Sequence, residues 1–526
     1  MAIDFNSNSY RKAGKNASSY LGLMKMAQFY TGYTGRKLEL YFYDLVLTGE
    51  HYNLLNYQFT HNDPGVSMHE KAPSIKYNLC SKVAEDSAGL LFADSHFPMI
   101  SCKDEETRDV IRLITKAAKL PEVMLEAATF GSIGSVAILV GVVSEQIFFK
   151  VLKTINLTPV YDNDKTKNLV KVIEEKTFRG DDLKTLGYTI KKELLSEAFV
   201  VIREWNSSEE IVYHPVLKYE FDNNFDYSKL RIDKERTTSH NLGFVPIVWI
   251  KNLPCEDIID GDCTFRKAID ISLQIDYLLS QGARGLYYSS EPTLVLKKPN
   301  VPMGSALVYG NGNVIDLPPD GDAKLLELEG GAVQSIVAYV KALREFGLES
   351  IHGNRVDTSK LSVAQSGKAM EMMIEDLIWL TDKLRISYGE IGLVKLICMS
   401  LKIINKTKVK VSGKYLPDVK EDEIITLVWS SWFSATPDDV QKLSVGNSNL
   451  YNNGLLSKKT IVDNLSPIFH IEDASKEIDQ IDEDIKGELD NARREQAISG
   501  NQPANGNKDS TKGAISGDQP SAKQRK

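Results

Sequence analysis

Four short stretches hold residue types that could do chemistry. Ser366-Gly367-Lys368-Ala369 has the ending of a phosphate-binding loop, in which a lysine reaches the β- and γ-phosphates and the next hydroxyl holds magnesium. Here position 369 is alanine, so the magnesium ligand is missing, and Ser362 stands where the opening glycine belongs. Gly131 and Gly134, in GSIGS, could cradle a phosphate only with a strand before them and a helix after. The flanking patterns are the reverse, a helix that ends at glycine and a Val/Ile-rich strand that begins there. His69-Glu70 opens like a metalloprotease helix, but Pro73 occupies the place of the second histidine. Gly310-Asn311-Gly312-Asn313 suits a hairpin turn, since no helix follows it. None of these stretches completes a catalytic centre, and no cofactor or metal is expected.

Charge is the other available chemistry. The polar run from Gly347 to Gln365 carries Arg355 and Lys360, and the helical pattern before it carries Lys341 and Arg344. An acidic element, Asp357, lies between the two loop cations, and on their own such charges read as a solvated surface or as ion pairs.

The elements that must position these cations lie between residues 256 and 369. Phe265 to Tyr288 is apolar at Phe265, Ala268, Ile269, Ile271, Leu273, Ile275, Leu278 and Leu279, which predicts a helix with a wide stripe, and Asp270, Asp276 and Arg284 are left for polar neighbours. Val333, Ile336, Val337, Val340 and Leu343 predict a second helix with a narrow stripe and a free polar face. Pro292 to Gly331 between them is rich in glycine and proline and predicts a small β insert. Ser366 onward predicts one long helix reaching Ile404.

Elsewhere the chain alternates helical and strand patterns. Helices are predicted around Tyr20 to Tyr30, from Leu38 to a turn at Gly49, over Pro73 to Phe92, over Asp104 to Lys119, and from Pro121 to Phe130. From Ile147 to Ile250 short runs (FFKVLK, LTPVYD, LVKVIEEKTF, YTIKKELL, AFVVIREW, EIVYHP) alternate apolar with charged residues, the signature of an antiparallel sheet with one wet face. Strands over Lys406–Val411 and Ile424–Trp429 precede a helical region from Pro437, and Ile478, Ile481, Ile485 and Leu489 make one stripe in an acidic helix. Beyond Ala497 a short repeat, AISGNQP and AISGDQP, lies in a tail too polar to offset the cost of ordering, and disorder is expected there.

With 526 residues the chain is too long for one core. A net charge of -8 argues against a surface that grips nucleic acid everywhere, because such grip comes from lysine and arginine displacing counterions. Five scattered cysteines without a C-x-x-C pair predict reduced thiols and no zinc site. The polar start, Met1 to Lys15, lacks the apolar core of a signal peptide, and the longest apolar run, Val136 to Val143, is far short of a bilayer span. No membrane association is expected.

The order of these features resembles that of tailed-bacteriophage portal proteins over roughly residues 38 to 495. The resemblance is carried by TGEH, LLF at the end of the Asn78–Phe92 helix, AATFGSIGSVAILV, HNLGFVPIVWIKN, SGKAM, WSSWFSATPDDVQK and NNGLLSKKTIV. Each motif alone is weak, and their collinearity is the signal. The resemblance implies an α+β portal fold with a mixed wing, helical stem, small β-rich clip and helical crown. Divided accordingly, the chain has an N-terminal arm at 1–35, a first wing part at 36–255, stem helices at 256–290 and 331–350 and a clip at 291–330. A tunnel loop follows at 351–366, then the long wing helix and returning strands at 367–435, a crown at 436–496 and a tail at 497–526.

The same resemblance implies a homo-oligomeric ring, commonly a dodecamer, at one capsid vertex of the virion, assembled in the bacterial cytoplasm. Double-stranded DNA is packaged and ejected through it, and terminase, head-completion or adaptor proteins, the major capsid protein and scaffolding protein are its partners. In that setting Arg355 and Lys360 are the first candidates for lining the DNA channel, with Lys341 and Arg344 as weaker ones. The competing readings are another head structural or scaffolding protein without DNA contact, and a nucleotide-driven enzyme using SGKA or GSIGS.

Overall fold

The computed structural model describes residues 20–54, 75–93, 96–162, 168–222, 226–256, 259–290, 293–297, 319–320, 322–326, 331–353, 372, 374–411, 413–421, 423–430, 432, 437–469, 471 and 474–499. The chain divides into two compact units, residues 1–443 and 444–526.

The first unit opens with helices Tyr20–Thr31 (α1), Gly35–Thr48 (α2), His51–Leu54 (α3) and Leu79–Phe92 (α4). Gly49 ends α2 with φ +73°, a left-handed cap that glycine adopts without a Cβ penalty. After a short strand, Met99–Ser101 (β1), helix Glu105–Ala117 (α5) is started by Asp104, whose side chain accepts the Thr107 N–H at 3.0 Å. Val110, Ile111 and Ile114 are its buried face. Helix Leu120–Gly131 (α6) then runs into strand Ser135–Val143 (β2).

Strand β2 lies between Gln146–Lys153 (β3) and Ile247–Lys251 (β10), antiparallel to both. Its uninterrupted apolar run follows from burial on both faces. Val136, Ile138 and Val140 enter the main core, while Ala137 and Leu139 enter a second core with Leu152, Val172, Trp205, Ile247 and Trp249. The residues between form a separate antiparallel sheet of Leu157–Tyr161 (β4), Leu169–Arg179 (β5), Ala198–Trp205 (β6), Glu209–Val212 (β7), Val216–Leu217 (β8) and Thr238–Ser239 (β9). The expected single run of strands is thus two sheets. YTIKKELL is also not a strand: after helix Gly180–Thr185 (α7) the chain turns and makes only a short 3-10 segment, Lys192–Leu194. Packing explains the change, since Leu183, Phe199 and Val201, with Tyr188, Ile190 and Leu194 against them, close a third core beneath β6.

A helix Lys218–Asp222 (α8) precedes β9, and beyond β10 come helix Ile269–Ser290 (α9), strands Thr293–Lys297 (β11) and Asp322–Leu326 (β12), and helix Gly331–Ser350 (α10). The long helix expected from Ser366 is described from Glu375. It is interrupted: Glu375–Leu384 (α11) passes into a π-helical segment, Arg385–Leu393, before Val394–Lys406 (α12). Strands Lys410–Val411 (β13), Lys414–Tyr415 (β14) and Thr426–Val428 (β15) follow, with β15 pairing β1.

The π segment is held by close approaches that need glycine. A Cβ on Gly389 would collide with the Trp429 ring, and one on Gly392 would meet Ile250 Cδ1 at 2.7 Å. Tyr388, just before Gly389, is fully buried, donates to Asn252 Oδ1 at 3.1 Å, and lies where a Cβ on Gly131 would be. One turn earlier the Arg385 guanidinium stacks 3.3 Å from the Trp432 ring centroid and 4.7 Å from that of Trp429. Burial pulls its pKa down to about 10.

Helix Pro437–Asn452 (α13) crosses the division in sequence, and the second unit holds helices Lys458–Phe469 (α14) and Ala474–Ser499 (α15). Residues 497–499, expected in the disordered tail, close α15 instead, and the rest of the tail lies outside the described residues.

Candidate functional site: the helix–ribbon–helix hairpin

The two central helices form a hairpin, with the antiparallel ribbon β11–β12 paired from Thr293↔Leu326 to Lys297↔Asp322 at its far end. Its two helices approach closely through small residues. Ile336 of α10 packs where Gly282 of α9 has no side chain, 3.4 Å from an ideal Cβ. At the base, a Cβ on Gly347 would meet Leu79 Cδ2 at 2.8 Å and Ile271 Cγ2 at 3.2 Å, so α10 is pressed against both α9 and α4. The stripe read from sequence is the inward side, with Val340 and Leu343 packed on the main core. Val337 departs from it: it is exposed, as are Tyr339 and Phe346 on the rest of the helix.

Polar side chains left over on α9 anchor the hairpin to the N-terminal helices. Asp270 accepts the Tyr20 N–H at 2.7 Å. Asp276, 1% exposed, accepts the Tyr52 hydroxyl at 2.8 Å and the Tyr77 N–H at 2.7 Å. One turn on, the Ser280 hydroxyl accepts the Ile75 N–H at 3.2 Å and donates to the Asp276 carbonyl. The segment entering α4 is thereby fastened to α9 at alternate backbone amides. Burial pushes the Asp276 carboxyl up to about 6, against the opposing effect of the hydrogen bonds it accepts.

A second anchor ties α2 to the sheets. Arg36 grips Asp260 through Nε at 2.5 Å and Nη2 at 3.0 Å and donates Nη1 to the Leu157 carbonyl at 2.8 Å. Ser135 Oγ also bonds Asp260, and the Arg36 guanidinium lies 5.7 Å from the Trp249 ring centroid. The neighbouring glycine loop is occupied by the protein's own backbone, since Gly134 O accepts the N–H groups of Asn252 and Gly261, each at 2.9 Å. The helix-to-strand reading of GSIGS stands.

Of the four cations singled out from sequence, two are described. Lys341 and Arg344 stand one turn apart on α10; Lys341 is exposed and Arg344 half-buried, its Nε enclosed with no hydrogen-bond partner among the described residues. Arg355 and Lys360 lie outside the described residues, as do SGKA, GNGN and His69-Glu70. The described chain leads toward Arg355 through a tight exit. Ile351 is buried, His352 has φ +55° and meets the Trp379 ring edge-on at 4.3 Å, and a Cβ on Gly353 would meet Leu348 at 2.7 Å and Val83 at 2.9 Å.

The sequence pattern of the family described as phage portal protein, SPP1 Gp6-like, matches residues 67–490, spanning the hairpin and both flanks. The chain belongs to this family. Portal proteins are structural components of the phage capsid. No curated protein matches the chain. Among the described residues, no group of histidine, cysteine and carboxylates could hold a metal, and no helix is long and apolar enough to cross a membrane. The five cysteines are free thiols.

Proposed function

We propose that this portal-family chain assembles as a ring, a dodecamer, at a single capsid vertex and serves as the conduit for double-stranded DNA in packaging and ejection. The family match over residues 67–490 carries this reading. In it, residues 256–290 and 331–350 are the stem, 291–330 the clip that docks terminase and later the head-completion or adaptor proteins, 351–366 the tunnel loop, and 436–496 the crown. The wing comprises 36–255 and 367–435 and faces the major capsid and scaffolding proteins. Assembly takes place in the host cytoplasm, and the protein carries no catalytic centre of its own.

Two physical features support the assignment. The exposed Val337, Tyr339 and Phe346 on α10 give each stem helix an apolar side for a neighbouring copy to cover. The acidic balance of the chain suits a bore that guides DNA, whose axis carries about one charge per 1.7 Å, without a grip that would raise barriers to sliding. Arg355 and Lys360, repeated around the ring, are the principal phosphate contacts, with Lys341 and Arg344 secondary.

Negative-stain images of the purified protein are expected to contain rings, and monomers under every assembly condition would refute the reading. A double Arg355→Ala/Lys360→Ala variant is expected to assemble but to change packaging yield or DNA retention. Packaging unaltered across salt conditions would remove these two residues from the channel.

A further inference from the structure

The last helix of the second unit outruns its neighbour. Helices α14 and α15 are joined by residues 470–473, a connection short enough to turn one back along the other. Lys458, the first residue of α14, places its Nζ 2.5 Å from Asp482 Oδ1, so α14 ends alongside Asp482. Helix α15 continues from 483 to 499, about 25 Å farther at 1.5 Å per residue.

The apolar stripe does not stop where α14 stops. Ile478, Ile481, Ile485 and Leu489 follow at steps of three, four and four, one side of a helix. Ile478 and Ile481, within the overlap, are half-buried, whereas Ile485 and Leu489, past it, are 47% and 54% exposed. Glu483, Asp484 and Glu488 flank these two, and between 483 and 490 the one base is Lys486.

We propose that this overhang is a docking surface for a basic amphipathic helix of another protein, whose aliphatic side chains would cover Ile485 and Leu489 while its lysines or arginines meet Glu483, Asp484 and Glu488. Charge complementarity selects that occupant. A second copy that paired the same stripe face to face would set carboxylates against carboxylates, which opposes association. The inference rests on α14 and α15 alone and is independent of how DNA passes through the assembly.

Full-length protein titrated with labelled synthetic peptides tests it. One peptide carries leucines at helical spacing with lysine flanks, one the same leucines with glutamate flanks, and one the lysine composition scrambled out of register. The lysine-flanked helix is expected to bind at least about tenfold more tightly than the other two and to weaken as salt rises. Ile485→Ser/Leu489→Ser is expected to weaken it by about tenfold or more. Asp484→Lys/Glu488→Lys, which leaves the stripe intact, is expected to move the preference to the glutamate-flanked peptide. Equal binding of the three peptides, or binding unchanged by both variants, would overturn the proposal. So would a changed subunit number in Ile485→Ser/Leu489→Ser without any peptide binding, which assigns the stripe to a second copy.

Discussion

Replacing Asp276 by asparagine separates the charge of the buried anchor from its shape. The carboxyl is displaced from its ordinary 3.8 to about 6 by burial on α9, so the folded protein takes up this proton before the unfolded chain does. The associated stability is fully present below pH 3.8 and is lost as pH rises through about 6. At about 1.4 kcal/mol per pH unit, the displacement amounts to about 3 kcal/mol, net of the Tyr52 hydroxyl and Tyr77 amide, which already recover part of the cost of the charge. Asparagine keeps an acceptor for the Tyr77 N–H and can donate to the Tyr52 oxygen, and it does not ionise. The stability difference between wild type and Asp276→Asn, from denaturant midpoints of both proteins in the same assembly state, is therefore expected to shift toward the variant by up to about 3 kcal/mol between pH 4 and pH 8. A difference that stays flat across that range would refute the assignment of a raised pKa to this anchor. Asp276→Ala, which removes the acceptor of the Tyr52 hydroxyl and the Tyr77 N–H, is expected to cost about 2–5 kcal/mol at pH 4 and less as pH rises, because the wild type loses stability through the same titration.

Three further substitutions probe the packing around the sheets and the π segment. Gly389→Ala forces a methyl into the Trp429 ring and is expected to cost about 1–3 kcal/mol with a change in tryptophan fluorescence, and an unchanged melting temperature would count against the close approach. Arg36→Ala leaves Asp260 buried without its cation, with an expected loss of about 3 kcal/mol or more in chemical denaturation; Arg36→Lys is expected to recover less than half, because lysine has no fork to hold Asp260 and the Leu157 carbonyl together. Tyr388→Phe removes the donor to Asn252 Oδ1 at a cost of about 1–3 kcal/mol, and a neutral result would show that Asn252 has another partner.

Local regularity made much of the fold legible, and distance hid the rest. Helix α5 announced itself through Asp104 at its start and the Val110, Ile111, Ile114 spacing, and the turn after α2 through Gly49. Strand β2 was readable as a strand from its Val/Ile run, and its burial on both faces became plain only when β3 and β10 were seen beside it. Asp276 stood out as a polar residue on an apolar helix, but its partner Tyr52 lies 224 residues away, beyond any periodicity. The π segment was missed because its register is set by tertiary contacts of Gly389 and Gly392; two glycines inside an otherwise long helical pattern were the available signal. Of the candidate channel cations, Lys341 and Arg344 fall on α10 as their spacing required. The family match was legible through collinear motifs that no single residue carries.

The π segment also fixes the phase of one long rod. The segment is wound with i→i+5 bonds in place of i→i+4, so a deletion between Arg385 and Leu393 that is not taken up by rewinding to α-helix would turn α11 relative to α12. Trp379, exposed beside His352, would leave its place at the exit toward Arg355, and Leu377 and Leu380 would rotate out of the core. Sequence drift in this family is therefore expected to accept substitutions along the helix far more readily than changes in the number of residues between Leu384 and Val394.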